Sequence, residues 1–301
     1  FHPSRGLLDP FGGLDDIRKR RLCAVGNPFD RLAEDPLRIM RGLRFAAKLG
    51  FSIEHRTKNA IRENAPLLKS LSKERVFAEL CSLLCAPRAS AVLLEYYDVL
   101  DVVVEGTSAM ATQPLNFRES TCSILEHTAH VLDRTPAEPS LRLAALLRDR
   151  AKTPASLRSN DPKNHAKESA LRAKSLLEEL KAPRRLREKV CRIVIRHNEY
   201  VPPSPSGVST LAILEGGDAA FGGDLLTLQH SELSALEFCR PQAEEAALRL
   251  EILDELLRTE APLSRTDLTI RGSDVANALG VSGKAVGLIL DAVLDAAIEG
   301  L

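Results

Sequence analysis

The stretch EDPLRIMRGLRFAAKLGF, residues 34–51, places Arg38, Arg41 and Arg44 three residues apart, with Asp35 three residues before the first of them. On a helix this spacing sets the side chains next to one another along one face. A carboxylate fixed beside a guanidinium offers an acceptor next to a fork of donors. Cytosine and adenine present the complementary order on their Watson–Crick edges, and guanine and uracil present the reverse. Asp35 with Arg38 would therefore accept C and A and leave unpaired groups against G and U. Arg41 and Arg44, further along, suit phosphate oxygens. One at a time, the same residues read as a helix cap and a solvated charged face over an apolar stripe of Leu37, Met40, Leu43 and Ala47.

The elements that must position these groups are mostly helical. Asp35 followed by Pro36 is a strong helix start, an acceptor at the cap and a proline at the first position, where its missing N–H costs nothing. The pattern predicts helices over 35–49, 55–64, 72–85 and 88–99, the third capped by Ser72. Upstream, RGLLDPFGGLDDIRKRRLCAVGNPFD predicts a short strand, a glycine turn, one or two helical turns and a second strand at Arg21–Val25, stopped by Gly26-Asn27-Pro28. Two strands alone are marginal, so this segment is expected to be the end of a sheet whose other strands precede Phe1. Breaks are expected at 152–164 and at VPPSPSG, 201–207; two long helices are expected to pair within 242–301.

Charge is segregated although the whole chain of 301 residues is neutral. Residues 17–75 carry 15 Lys/Arg against 6 Asp/Glu, net +9; residues 181–197 carry 7 against 1, net +6; residues 241–301 carry 5 against 11, net −6. Two basic stretches suit a localised polyanion-binding face. Within KAPRRLREKVCRIVIRH, Lys181, Arg184, Arg185 and Lys189 are candidate phosphate contacts, with Arg75 from the first basic stretch. The six cysteines form no C-x-x-C pair, and reduced, mostly buried thiols in a cytoplasmic protein are expected. No apolar run approaches the roughly 18 residues of a membrane helix, and no membrane partner is expected.

In order and spacing, LLDPFGGLDDIRKRRLCAVGNP, EDPLRIMRGLRFAAKLGF and SKERVFAEL resemble the class II tRNA nucleotidyltransferases, the CCA-adding enzymes and bacterial poly(A) polymerases. DLTIRGSDVANALGVSGKAVGLILDAVLDAAIEG is similar to the tail of that family. The resemblance implies that Asp35 and Arg38 template the incoming base and that Arg41 and Arg44 hold the nucleotide. It implies a mainly α fold with four parts: residues 1–33 as the remnant of an α/β nucleotidyltransferase head, 34–104 as a neck, 105–240 as a helical body and 241–301 as a helical tail. CTP and ATP are the implied substrates and tRNA the implied partner. Mg²⁺ is the implied cofactor, held by an Asp-x-Asp pair expected upstream of Phe1; the chain by itself is expected to be inactive.

LEHTAHVLD, LRLAALLRDRAKTP, NHAKESA and IRHNEY are similar to the HD phosphohydrolase module of many such enzymes, and His127, Asp149, His165 and His197 match its metal ligands. Arg148 stands where the module has the histidine of its His-Asp pair. A guanidinium has no lone pair to coordinate a cation and repels one, so no metal is expected there; Glu199 adds a carboxylate without changing this. The rival readings are poly(A), CC or A addition, a non-catalytic RNA-binding module and, less well supported, an HD phosphohydrolase.

Overall fold

The computed structural model describes residues 4, 6–115, 122–152, 162–213 and 219–299. The chain is mainly helical and divides into two compact units, Phe1–Ile195 and Arg196–Leu301. The expected neck and the first part of the expected body fall in the first unit.

The first unit opens with α1 (Gly13–Arg18), strand β1 (Arg21–Leu22), α2 (Pro28–Glu34), α3 (Leu37–Leu49), strand β2 (Ser52–Ile53) and α4 (His55–Asn64). β1 and β2 pair in parallel, Arg21 with Ser52 and Leu22 with Ile53, so the α2–α3 pair is the crossover between them. β1 is shorter than the expected Arg21–Val25, Leu7–Asp9 has no regular structure, and the partner of β1 comes from within the described chain. In α3 the residues Leu37, Ile39, Met40, Leu43, Ala46 and Ala47 are buried, recurring at the spacing of one helical face. Gly50 ends it with φ +65°, a conformation that costs a residue with a Cβ, and returns its N–H to the Ala46 carbonyl. The Glu54 carboxylate starts α4 by accepting from the N–H groups of Arg56 and Thr57.

There follow α5 (Lys73–Leu84), α6 (Ala89–Glu95), α7 (Tyr97–Leu100), α8 (Thr107–Thr112), α9 (Ile124–Arg134), α10 (Pro139–Leu147), α11 (Pro162–Glu179) and α12 (Arg184–Arg196). Ser72 caps α5 as expected. The helix expected over 88–99 is broken at Tyr96, with φ −125°, whose buried side chain packs against the cations of α4, Lys58 and Arg62, 5.5 and 5.4 Å from its ring. A capping box of Ser123 and Glu126 starts α9. α10 is buried from Ser140 to Leu147, all around its circumference, and is the central helix of this unit. The break expected at 152–164 lies largely outside the described residues.

The second unit holds α13 (Pro205–Ile213), α14 (Ala219–Ser234), α15 (Arg240–Arg258), α16 (Gly272–Leu279) and α17 (Lys284–Glu299). Its core gathers Val208, Leu211, Phe221, Leu225, Leu253 and Leu256. The two long helices expected in the last stretch are α15 and α17, but they are not each other's main partners: α15 packs chiefly on α14, and α17 on α13 and α16. Arg249 is buried on α15, held 2.5 Å from Glu245, which also accepts from the Tyr200 hydroxyl at 2.8 Å. All six cysteines are free; contrary to expectation only Cys239 is buried, four are half-buried and Cys23 is exposed. Among the described residues no single helix is long and apolar enough to cross a membrane.

Candidate nucleotide-reading site

The arginine helix is a second helix in a row rather than the first. Asn27 and Pro28 start α2 with the same grammar as Asp35 and Pro36: an acceptor side chain, here Asn27 Oδ1 to the Phe29 N–H at 3.4 Å, then a proline. Asp35 therefore sits at the junction where α2 ends and α3 begins. Its Oδ1 accepts the Leu37 N–H at 3.3 Å, a capping contact, and its carbonyl accepts the Arg38 N–H at 3.0 Å.

The Arg38 guanidinium is not paired with the Asp35 carboxylate; the bond between the two residues is between main-chain groups. Its Nη1 donates to the Arg31 carbonyl at 2.8 Å and lies 3.3 Å from Glu34 Oε2, which Arg31 also engages at 2.6 Å. Both Arg38 contacts use one nitrogen, so its Nη2 and Nε donors are not consumed by them. Asp35 likewise spends one oxygen on the cap.

Arg41 and Arg44 converge on one carboxylate that the spacing analysis did not single out. Glu79 of α5 accepts from Arg44 Nε at 2.6 Å through Oε2 and from Arg41 Nε at 3.3 Å through Oε1. The Glu79 side chain is 15% exposed, Arg44 21% and Arg41 45%. The Arg44 guanidinium also lies 4.3 Å from the Phe45 ring centroid. Because Glu79 engages both arginines through Nε, these contacts leave their terminal Nη donors to point elsewhere.

Beside this row lies a cavity of about 280 Å³, lined by Leu22, Val25, Arg31, Arg38, Arg41 and Phe45 among others. One aromatic face, apolar walls and three guanidiniums suit it chemically to a base with attached phosphate. Asp35 and Arg44 are not among its lining residues. Glu34 and Arg31, which fix Arg38, were signalled by the Asn-Pro start of α2; Glu79 was signalled only by its place within SKERVFAEL.

The candidate phosphate contacts lie in the first unit. Arg75, Arg184 and Arg185 are exposed, and Lys181 reaches Glu74 at 2.9 Å while Lys73 reaches Glu179 at 2.8 Å. This reciprocal pair ties the start of α5, with Arg75, to the junction of α11 and α12. Lys181 ends α11 at φ +54°, and its pair holds the Glu74 carboxyl down at about 2. Arg184 is paired to Glu188 at 2.7 Å, and Lys189 is half-buried.

Of the metal-ligand set, His127 and Asp149 are buried and His165 is half-buried in the first unit, while His197 belongs to the second. Arg148 and Asp149 are both fully buried, with Arg148 Nη2 3.2 Å from Asp149 Oδ2.

Residues 50–110 match the family described as probable RNA and SrmB-binding site of polymerase A. The CCA-adding enzyme of Streptococcus mutans serotype c is 56% identical over 81 residues, 27% of this chain and 20% of the relative. The crystal structure of the Bacillus stearothermophilus CCA-adding enzyme in complex with CTP superposes with a TM-score of 0.60 at 24% identity, over 97% of this chain and 64% of that one. The Thermotoga maritima CCA-adding enzyme complexed with tRNA gives a TM-score of 0.52 at 15% identity, over 98% and 64%. The match to the curated relative thus spans about a fifth of that protein's length, and the solved structures share the fold. Motif order and local identity make part of this chain similar to the class II CCA-adding enzymes, and the solved structures of such enzymes share its fold.

Proposed function

We propose that this chain supplies base selection and tRNA binding to a nucleotidyltransferase that adds C and A to the 3′ end of tRNA from CTP and ATP. The observation that carries the reading is the row of Asp35, Arg38, Arg41 and Arg44, with Glu79 bonded to the last two. Asp35 presents a carboxylate oxygen as acceptor, and Arg38 presents the donors that its contacts with Glu34 and Arg31 leave over. Those contacts hold the guanidinium plane before a nucleotide arrives, which lowers the entropy lost on binding. Arg41 and Arg44, oriented through Nε by Glu79, offer their terminal nitrogens to phosphate oxygens. A protein with the same fold was solved with CTP and another with tRNA, which supports the same ligand classes here.

The exposed cations Arg75, Lys181, Arg184 and Arg185, with Lys189, are assigned to the tRNA backbone. They read charge rather than sequence. No Asp-x-Asp pair occurs among the 301 residues, so the two-metal chemistry expected of the family is assigned to no residue of this chain, and the role of Mg²⁺ stays outside its side chains.

The test is incorporation of each of the four nucleotides, on a tRNA lacking its 3′ end, by a protein that carries this chain together with an intact Asp-x-Asp head. Addition of two C residues and one A, without G or U, is expected. Long A tracts would favour the poly(A) reading; tRNA binding without any incorporation would favour a non-catalytic RNA-binding module.

A further inference from the structure

Arg148 heads the fully buried large side chains among the described residues, with no exposed surface. It follows directly on α10, whose residues are buried on every side, so the backbone carries a guanidinium into the interior of the first unit. A charge in such a place persists only when paired and hydrogen-bonded. Arg148 Nη1 donates to the Ala145 carbonyl at 2.5 Å, and Nη2 lies 3.2 Å from Asp149 Oδ2. The other Asp149 oxygen, Oδ1, is 2.7 Å from Lys152 Nζ, whose side chain is 14% exposed. Each oxygen of one buried carboxylate thus faces its own side-chain cation. His127 and His165 each bring a ring nitrogen within 4.8 Å of an Asp149 oxygen. Imidazoles around a carboxylate are the donor set of a transition-metal site. The set does not fit a divalent ion here, because the ion would have to share Asp149 with a guanidinium and an ammonium.

We propose that Arg148 and Lys152 stand in for a divalent cation. Their two positive charges neutralise and cross-link Asp149 where an ion would do so, and the cluster of His127, Asp149 and His165 is metal-free in the working protein. Lys152 keeps some exposure to solvent and Arg148 has none, so Arg148 is the cation that keeps metal out. Exchanging it for histidine removes the buried charge and adds a third imidazole, converting the cluster into a divalent-cation site.

The experiment uses the whole chain, Mn²⁺ as probe, and two readouts: metal retained after desalting, and the thermal midpoint in Mn²⁺ or in chelator. Wild type is expected to retain no stoichiometric Mn²⁺ and to keep the same midpoint in both solutions. Arg148→His is expected to have a lowered midpoint in chelator, a saturable rise with Mn²⁺ and stoichiometric metal, all lost when Asp149→Asn is added. Stoichiometric Mn²⁺ in wild type, or a wild-type midpoint that falls on chelation, overturns the proposal. A folded Arg148→His that ignores Mn²⁺ overturns the gating role of Arg148. Should Arg148→His not fold under either condition, the neutral pair Arg148→Met with Asp149→Asn decides: recovery of the midpoint above either single variant supports mutual compensation, and additive losses overturn it.

Discussion

Replacing Glu79 by glutamine keeps the shape of the side chain that joins α5 to the arginine helix and removes its charge. The Arg44 contact is short, 2.6 Å, between side chains 21% and 15% exposed. Hydrogen bonds to charged groups contribute about 1.5–3 kcal/mol, and the remaining solvent access reduces this to about 1–2 kcal/mol. The Arg41 contact, at 3.3 Å with Arg41 45% exposed, falls in the range of about 0–1 kcal/mol for surface pairs. Glu79→Ala should therefore destabilise by about 2 kcal/mol, roughly a 30-fold change in the folding equilibrium, or about 4–8 °C in midpoint for a unit of this size. Glu79→Gln retains one oxygen acceptor and should lose about half of that. The second consequence is functional: with their Nε partner weakened, Arg41 and Arg44 turn more freely, and CTP and ATP affinity should fall about tenfold, or ~1.4 kcal/mol. Glu95→Gln is the control, since Glu95 is 50% exposed in its pair with Lys58 and should change stability by less than about 0.5 kcal/mol. Urea unfolding and titration calorimetry measure both effects. If Glu79→Gln matches Glu95→Gln in stability and binds CTP as wild type does, the assigned role of Glu79 is refuted.

The tRNA face should show steep salt dependence, and Arg185→Ala should reduce the slope of log affinity against log salt by about 0.7–0.9; an unchanged slope removes Arg185 from the interface. The carboxyls of Glu54, Glu74 and Glu126 all lie below their usual 4.5, held down chiefly by the Arg56 N–H, by Lys181 and by the Ser123 N–H respectively. A carboxyl depressed in the folded state stabilises fully above its unfolded value and less as pH falls through the folded one. Stability should thus be flat above about pH 5 and decline below 4.5, with the Glu74 part fading toward about 2; Glu74→Gln should flatten the low end of a pH-dependent urea series, and an unchanged profile contradicts the pairing with Lys181. In the second unit a Cβ on Gly207 would stand 2.5 Å from the Pro202 carbonyl oxygen. Gly207→Ala should accordingly cost about 1–3 kcal/mol in urea unfolding, whereas Gly42→Ala, with its nearest atom at 3.9 Å, should cost no stability.

The sequence was most readable where local chemistry decides. Apolar spacing and Ser72 marked α3, α4 and α5 to within two residues, and the three arginines fall on one of them, α3. Three features needed tertiary information. Gly26-Asn27-Pro28 reads equally as a strand stop and as a helix start, and the second sense, which makes α2 and brings Glu34 to Arg38, prevails in the fold. β2 is two residues long, Ser52–Ile53, and forms because Ser52 and Glu54 donate their N–H groups to Arg20 and Leu22 across a crossover; so short a strand carries no alternation to detect. Glu79 lies 35 residues from Arg44, and an ion pair between distant helices leaves no periodic trace. Arg148 was visible as a misfit in a ligand row, but its burial, and the way Lys152 takes the second oxygen of Asp149, come only from packing.

Whether the junction of α2 and α3 reads bases is tested most directly by the affinity of the four nucleoside triphosphates for wild type, Asp35→Asn and Arg38→Lys. Asp35→Asn keeps a capping oxygen, so stability should change by less than about 1 kcal/mol, while its amide can turn a donor toward the base. Arg38→Lys keeps the charge and loses the planar fork. The wild-type chain should bind CTP and ATP at least about tenfold more tightly than GTP and UTP, the equivalent of ~1.4 kcal/mol, and both variants should lose that preference while remaining folded. Equal affinity of wild type for all four nucleotides, or a preference that survives in both variants, would contradict base reading by Asp35 and Arg38.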